Sequence, residues 1–292
     1  PAAVVVLAPP ELQALGAALC KDAGSTHDWL GLGEVALTPL TLVLVADAEG
    51  FAEWSRGRVP AWGAGLTVPS RRLVVVRVNA GNPQQTLRHE LAHLALHTRI
   101  RGRVPLWFSE GYAALASGEH GRLDVLQLNL AVALGRVPTL PMLDAALRGG
   151  AADAGAAYAL AASAVADIAR RHPTGSLAPI LGRMERGEPF TDALLAATGL
   201  EPGEFAERWY LDIRRRYNLG IWLVAGGAWA VLAVILAFLV VMRRHRDAAR
   251  RAALDHGWPL PPPDDDFMTP DDVSMTTGAD RPDPLDHPDP RG

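Results

Sequence analysis

This chain of 292 residues is nearly without cysteine and lysine: Cys20 is its one cysteine and Lys21 its one lysine. A single thiol excludes an intramolecular disulfide and any cysteine-based zinc cluster. Cys20 stands in a helical stretch with Leu12, Leu15, Ala18 and Leu19, where a buried, unreactive thiol is expected. Arginine supplies the other 27 of the 28 basic residues. With the abundant alanine this points to a GC-rich genome, so a run of arginines carries little functional meaning by itself. An excess of positive charge is also missing. The net charge is −4 and the pI near 6.2, which excludes a general nucleic-acid binder. Apolar residues are not scarce, however. At 49% apolar against 21% charged, the composition excludes a chain disordered throughout.

One stretch lacks charge altogether. Leu219 to Met242 reads LGIWLVAGGAWAVLAVILAFLVVM, 24 residues without an acid or a base. As a helix it would be roughly 36 Å long, enough to cross a hydrocarbon core of about 30 Å with some tilt. Arg214–Arg216 flank it on one side and Arg243, Arg244 and Arg246 on the other, with Trp222 placed for one interface. A single-pass membrane helix over 218–242 is therefore expected. The five arginines from Arg243 to Arg251 outnumber the four from Arg208 to Arg216, which favours a cytoplasmic C-terminus. A start at Pro1 instead of Met is compatible with a cleaved leader. Both hints place residues 1–217 outside the cytoplasm.

Charge is also unevenly divided. Residues 1–242 hold 21 basic and 21 acidic residues, whereas 243–292 hold seven arginines and eleven aspartates. The segment 243–292 thus reads as a basic juxtamembrane stretch followed, from about Asp255, by a Pro/Asp-rich tail with too few aliphatics to offset its ordering entropy. Disorder is expected there, with an unidentified tail-binding partner as the alternative use. Within 1–217, Val4–Leu7, Leu40–Ala46 and Leu73–Val78 have the apolar, β-branched character of buried strands. Glu49–Arg58 reads as a short helix. From Gln84 onward helices are expected over 84–98, 108–117, 122–134, 156–171, 176–186, 190–197 and 203–217, punctuated by Gly and Pro. The fold class is α+β: a small N-terminal sheet with helices, then a mostly helical half, plus one C-terminal transmembrane helix.

The residues that carry chemistry are His89-Glu90-Leu91-Ala92-His93, an HExxH sequence. On a helix, positions i and i+4 share a face, so both imidazoles can reach one metal ion. Glu90 points about a quarter turn away, able to meet a metal-bound water without itself ligating. Asn82 can cap this helix, Pro83 suits its first position, and Gln85 stands three after the cap. A catalytic zinc needs a third protein ligand and an open fourth position. His97 lies eight residues from His89, about 12 Å along the axis, too far to share an ion with it, so it is expected to pack or face solvent. Glu110, in Trp107-Phe108-Ser109-Glu110-Gly111-Tyr112-Ala113, is the better candidate. Ser109 can cap a second helix there, and the loop Thr98–Pro105 can fold that helix back on the first.

HExxH followed closely by W-x-x-E-G-x-A resembles the gluzincin metallopeptidases, specifically their compact peptidase MA-like branch. The strand-rich start, Tyr158 in an Ala-rich helix and the ending GEPFTDALLAATGLEPGEFAERW are similar to that branch as well, so the resemblance covers roughly residues 1–217. It implies one Zn²⁺ per chain with ligands His89, His93 and Glu110, and Glu90 as general base. By the same analogy Tyr158 is the oxyanion donor, with Tyr112 the second choice. One turn beyond Glu110, where many gluzincins place an acid, this chain has Ala114; ligating histidines usually donate their second ring N–H to a partner, and backbone carbonyls could serve.

The functional expectation is a membrane-anchored zinc metallopeptidase acting on a peptide or protein substrate and not on nucleic acid. The alternative is a non-catalytic, membrane-tethered binding module that keeps zinc for structure. Glu90 argues against that alternative, because a closed structural site has no use for a carboxylate placed to activate water. Arg101 and Arg103, in the loop between the two helices, read as solvated charges.

Overall fold

The computed structural model describes residues 3–257 except 58, 61, 119–121 and 218, with backbone alone at 122–124, 151–154, 219–226, 228 and 249–257. The chain opens with β1 (Val4–Leu7), α1 (Gln13–Ala23) and the short antiparallel pair β2 (Asp28–Trp29) and β3 (Gly33–Glu34). It continues through β4 (Leu40–Val45), α2 (Ala48–Ser55), β5 (Gly65–Val68) and β6 (Leu73–Arg77). The rest is helical: α3 (Pro83–Arg99), α4 (Leu106–Ala116), α5 (Arg122–Ala133), α6 (Leu140–Leu147), α7 (Ala151–Arg171), α8 (Ala178–Glu185), α9 (Phe190–Thr198), α10 (Pro202–Arg216) and α11 (Leu219–Gly257). The expected α+β organisation is what the first 217 residues adopt.

Four strands form one mixed sheet in the order β1-β4-β6-β5. The first three run parallel and β5 returns antiparallel to β6, pairing Gly65 with Val76 and Val68 with Leu73. Alternation divides the side chains between two faces. Leu42, Leu44, Val74 and Val76 join the main core with Leu19 of α1 and Leu87 and Leu91 of α3. Val43, Val45 and Val75 pack instead on Phe51 of α2. Burial on both faces explains why these strands are continuous apolar runs without polar alternation. It also explains why they were legible.

In the helical half α4 lies between α3 and α7. Gly111 makes this possible, since a Cβ added there would meet Val165 Cγ2 of α7 at 2.8 Å. Trp209 of α10 donates from its indole Nε1 to Ser163 of α7 at 3.1 Å, and Arg171 bridges Asp167 to Asp212. These contacts fasten the C-terminal helices to α7.

Several expectations need correction. Sequence reading found no strand at β5, no β2–β3 pair and no helix at α6. Pro141 suggested a break there, but it occupies the first turn of α6, where its missing N–H deprives the helix of nothing. Cys20 is half-buried, not fully enclosed, because it lies beside the buried stripe of α1 formed by Gly16, Leu19 and Ala23.

The chain divides into two compact units, 1–227 and 228–292. In the second unit, every described side chain of α11 from Trp229 to Met242 is exposed, aliphatic and aromatic alike. The expected span 218–242 falls partly outside the described residues, and among those described no helix is long and apolar enough to cross a membrane. The acidic tail from 258 onward also lies outside the described residues.

Candidate metal centre

Asn82 starts the helix that carries the motif. Its Oδ1 accepts from the backbone N–H groups of Gln84 at 3.0 Å and Gln85 at 3.3 Å, and Pro83 takes the first helical position. The expected N-terminus is therefore present, with Asn82 capping as read. Two turns on, His89 and His93 face the same way. Their rings stand edge to face with centroids 4.9 Å apart, and their Nε2 atoms are separated by 3.2 Å.

The second helix begins earlier than expected. α4 starts at Leu106 behind Pro105, and the acceptor for its orphan donors is Asp144 of α6, whose Oδ1 receives the Trp107 N–H at 2.8 Å. Ser109 is thus not the cap. It lies inside the first turns, free to turn its hydroxyl towards α3. One residue later Glu110 reaches the histidines, with Oε2 3.4 Å from His89 Nε2 and 3.4 Å from His93 Nε2.

The three donor atoms therefore form a nearly equilateral triangle with edges of 3.2, 3.4 and 3.4 Å. Three donors about 2.1 Å from one ion at the tetrahedral angle stand about 3.4 Å apart. A His-His-Glu set with this spacing can hold a metal ion and leave a fourth coordination position open. It is the one group among the described residues that meets the requirement. The side chains are 11%, 12% and 16% exposed, enclosed but within reach of solvent. Burial pushes the Glu110 carboxyl up, yet the charges and hydrogen bonds of His93 and His89 outweigh it and hold the group well below the usual carboxylate range. A ligating carboxylate must be ionised in this way.

Glu90 points about a quarter turn from His89, towards β5. Thr67 of β5 donates to Glu90 Oε2 at 2.6 Å and lies 2.8 Å from the backbone oxygen of Glu90. Gly65, two residues earlier on the same strand, leaves room for this carboxyl, since a Cβ there would meet Glu90 Cγ at 2.7 Å. Desolvation raises the pKa of Glu90, while His93, His89 and the Thr67 hydroxyl oppose the rise.

The chain matches no family model and no curated protein.

Tyr158 of α7 comes to the edge of this cluster, its ring edge-on to His89 with centroids 6.1 Å apart. Tyr112 does not. It lies about 200° around α4 from Glu110, fully buried in the core, and its hydroxyl has no hydrogen-bond partner among the described residues. Burial, and secondarily the charge of Asp28, pushes its phenol above the ordinary tyrosine value. Arg101 and Arg103 are exposed, as expected.

The second nitrogen of His93 meets a side chain. His93 Nδ1 is 3.0 Å from Ser109 Oγ, a side-chain hydroxyl instead of a backbone carbonyl. The same Oγ is 3.4 Å from His97 Nε2. His97 is held away from the triangle, as its spacing required, but it contacts a residue that touches the site. Sequence reading missed Thr67, Gly65 and Asp144 and gave Ser109 another role. Only Ser109 carried a signal, its place immediately before Glu110.

Proposed function

We propose that the chain is a membrane-anchored zinc metallopeptidase of gluzincin type, with His89, His93 and Glu110 as zinc ligands, Glu90 as general base and Tyr158 as oxyanion donor. The observation that carries the reading is the 3.2–3.4 Å triangle of donors with a buried, non-ligating carboxyl beside it. A bound Zn²⁺ supplies Lewis acidity, bringing the pKa of water towards neutrality and polarising a carbonyl. Glu90 takes the proton from the attacking water and returns it to the leaving amine, a role favoured by burial that brings its pKa nearer the operating pH. The Tyr158 hydroxyl donates to the oxygen where negative charge develops.

A peptide substrate suits the surroundings. β5 is an edge strand of its sheet among the described residues and places Thr67 against Glu90. An extended peptide added to that edge would run past the carboxyl. The anchor rests on the uncharged stretch Leu219–Met242 and on the exposure of Trp229–Met242, with residues 1–217 outside the cytoplasm by the arginine balance.

The test is elemental analysis of the full chain in detergent, followed by hydrolysis of a peptide library. About one zinc per chain, with hydrolysis in the wild type and none in Glu90→Gln at unchanged zinc content, is the expected result. Folded protein that binds no zinc on addition, or a Glu90→Gln variant as active as the wild type, overturns the reading.

A further inference from the structure

The contact between Ser109 and two histidines is not accounted for by ligation or by acid-base chemistry. Ser109 lies on α4 one residue before Glu110, and its Oγ sits between His93 Nδ1 at 3.0 Å and His97 Nε2 at 3.4 Å. Its residue is 6% exposed, so water is a poor substitute for either partner. We infer that Ser109 and His97 are positioning residues: together they fix the orientation and tautomer of His93 so that its Nε2 lone pair faces the metal. The inference rests on the zinc reading of the triangle.

The hydrogen inventory dictates the direction of the chain. A neutral imidazole carries one N–H, and a ring that ligates through Nε2 carries it on Nδ1. His93 Nδ1–H must then donate to Ser109 Oγ. The one proton of Ser109 is left for another acceptor, and His97 Nε2 is the acceptor at hand. His97 can fill that role only when neutral. Desolvation, and next the neighbouring His93, lowers its pKa and favours that form. All three side chains need the others: without Ser109 the ring of His93 loses its partner, and without an acceptor at position 97 the hydroxyl is free to turn and donate to His93, which selects the wrong tautomer.

Ligating histidines usually donate their second N–H to a carboxylate, carbonyl or water, and here a serine backed by a histidine takes that place. His97 thereby acquires a role that its distance from the triangle conceals.

The test is zinc affinity, measured on the full chain by competition with a chromogenic chelator, for the wild type, Ser109→Ala, His97→Leu and His97→Gln. Thermal unfolding of each metal-free form separates a folding defect from a binding defect. The expected result is a loss of about 10- to 100-fold in affinity for Ser109→Ala and His97→Leu. His97→Gln should stay within a few-fold of the wild type, because its amide oxygen can accept from Ser109 where Nε2 did. Should Ser109→Ala fail to fold, the two variants at 97 still decide. Equal affinities across all four proteins overturn the proposal, as does a His97→Gln variant as weak as His97→Leu. A wild type without zinc binding overturns the metal reading instead, and with it the proposal.

Discussion

The two flanks of α3 treat their carboxyl groups in opposite ways. On the α4 side, Glu110 faces two imidazoles and is held ionised, its pKa pushed down. On the β5 side, Glu90 is covered by a strand, its carboxyl held by one hydroxyl and its pKa pushed up. Glu90 is buried and Glu110 largely enclosed, and both come from the same small region of the fold. The difference lies in what each environment supplies: two imidazoles within 3.4 Å of Glu110 on one flank, and for Glu90 a single hydroxyl with burial prevailing on the other. Pairs of titratable groups driven apart in this manner mark a division of labour, which the proposed function assigns to a ligand and a base.

That contrast can be broken most completely on the α4 flank. Glu110→Ala removes one corner of the triangle, and zinc content measured by elemental analysis should fall from about one per chain to near zero after dialysis. On the β5 flank, Glu90→Gln should leave zinc content unchanged and lower peptide hydrolysis by about 10²- to 10⁴-fold, the contribution usual for a general base. Gly65→Ala sharpens the comparison without touching a titratable group. Its added methyl has no room above Glu90, and a thermal or urea unfolding curve should show a loss of about 1–3 kcal/mol, with hydrolysis reduced more than zinc binding. The smallest effect belongs to Thr67→Val, which deletes one hydrogen bond to Glu90. It should destabilise the metal-free protein by about 1 kcal/mol and leave zinc content intact. A Thr67→Val variant that lost zinc would mean the two flanks are not separate.

How much of this was legible in the sequence follows the range of each interaction. The motif helix was readable to its first residue, because Asn82, Pro83 and the 3.6-residue spacing of His89 and His93 are local signals. Strands β4 and β6 were readable because burial on both faces writes itself as unbroken apolar runs. Glu110 was reachable through helix spacing and loop length. Thr67 and Gly65 were not, since their meaning lies in contact with Glu90, more than 20 residues later. β5 is a four-residue strand with no pattern distinguishing it from the loop around it. The cap of α4 was misplaced for the same reason. Ser109 has the right residue type in nearly the right place, but the acceptor is Asp144, 37 residues away. The membrane stretch was legible as an absence of charge, and the described part of α11 adds that its apolar side chains are exposed on every face.

Gly111 sets a manufacturing tolerance for the candidate metal centre. It follows Glu110 directly, and α4 approaches α7 so closely there that even a methyl group would press on Val165. Relieving such a collision means sliding or tilting α4 by several tenths of an ångström, while a metal site accepts ligand distances only within about 0.2 Å of their preferred values. The glycine therefore works as a gauge block. The thickness of the α4–α7 joint determines how far the glutamate can reach towards the two histidines. A residue that touches neither metal nor substrate would thus be among the least replaceable in the chain, and an engineer wishing to fit a larger ion would begin by altering that joint and leave the ligands alone.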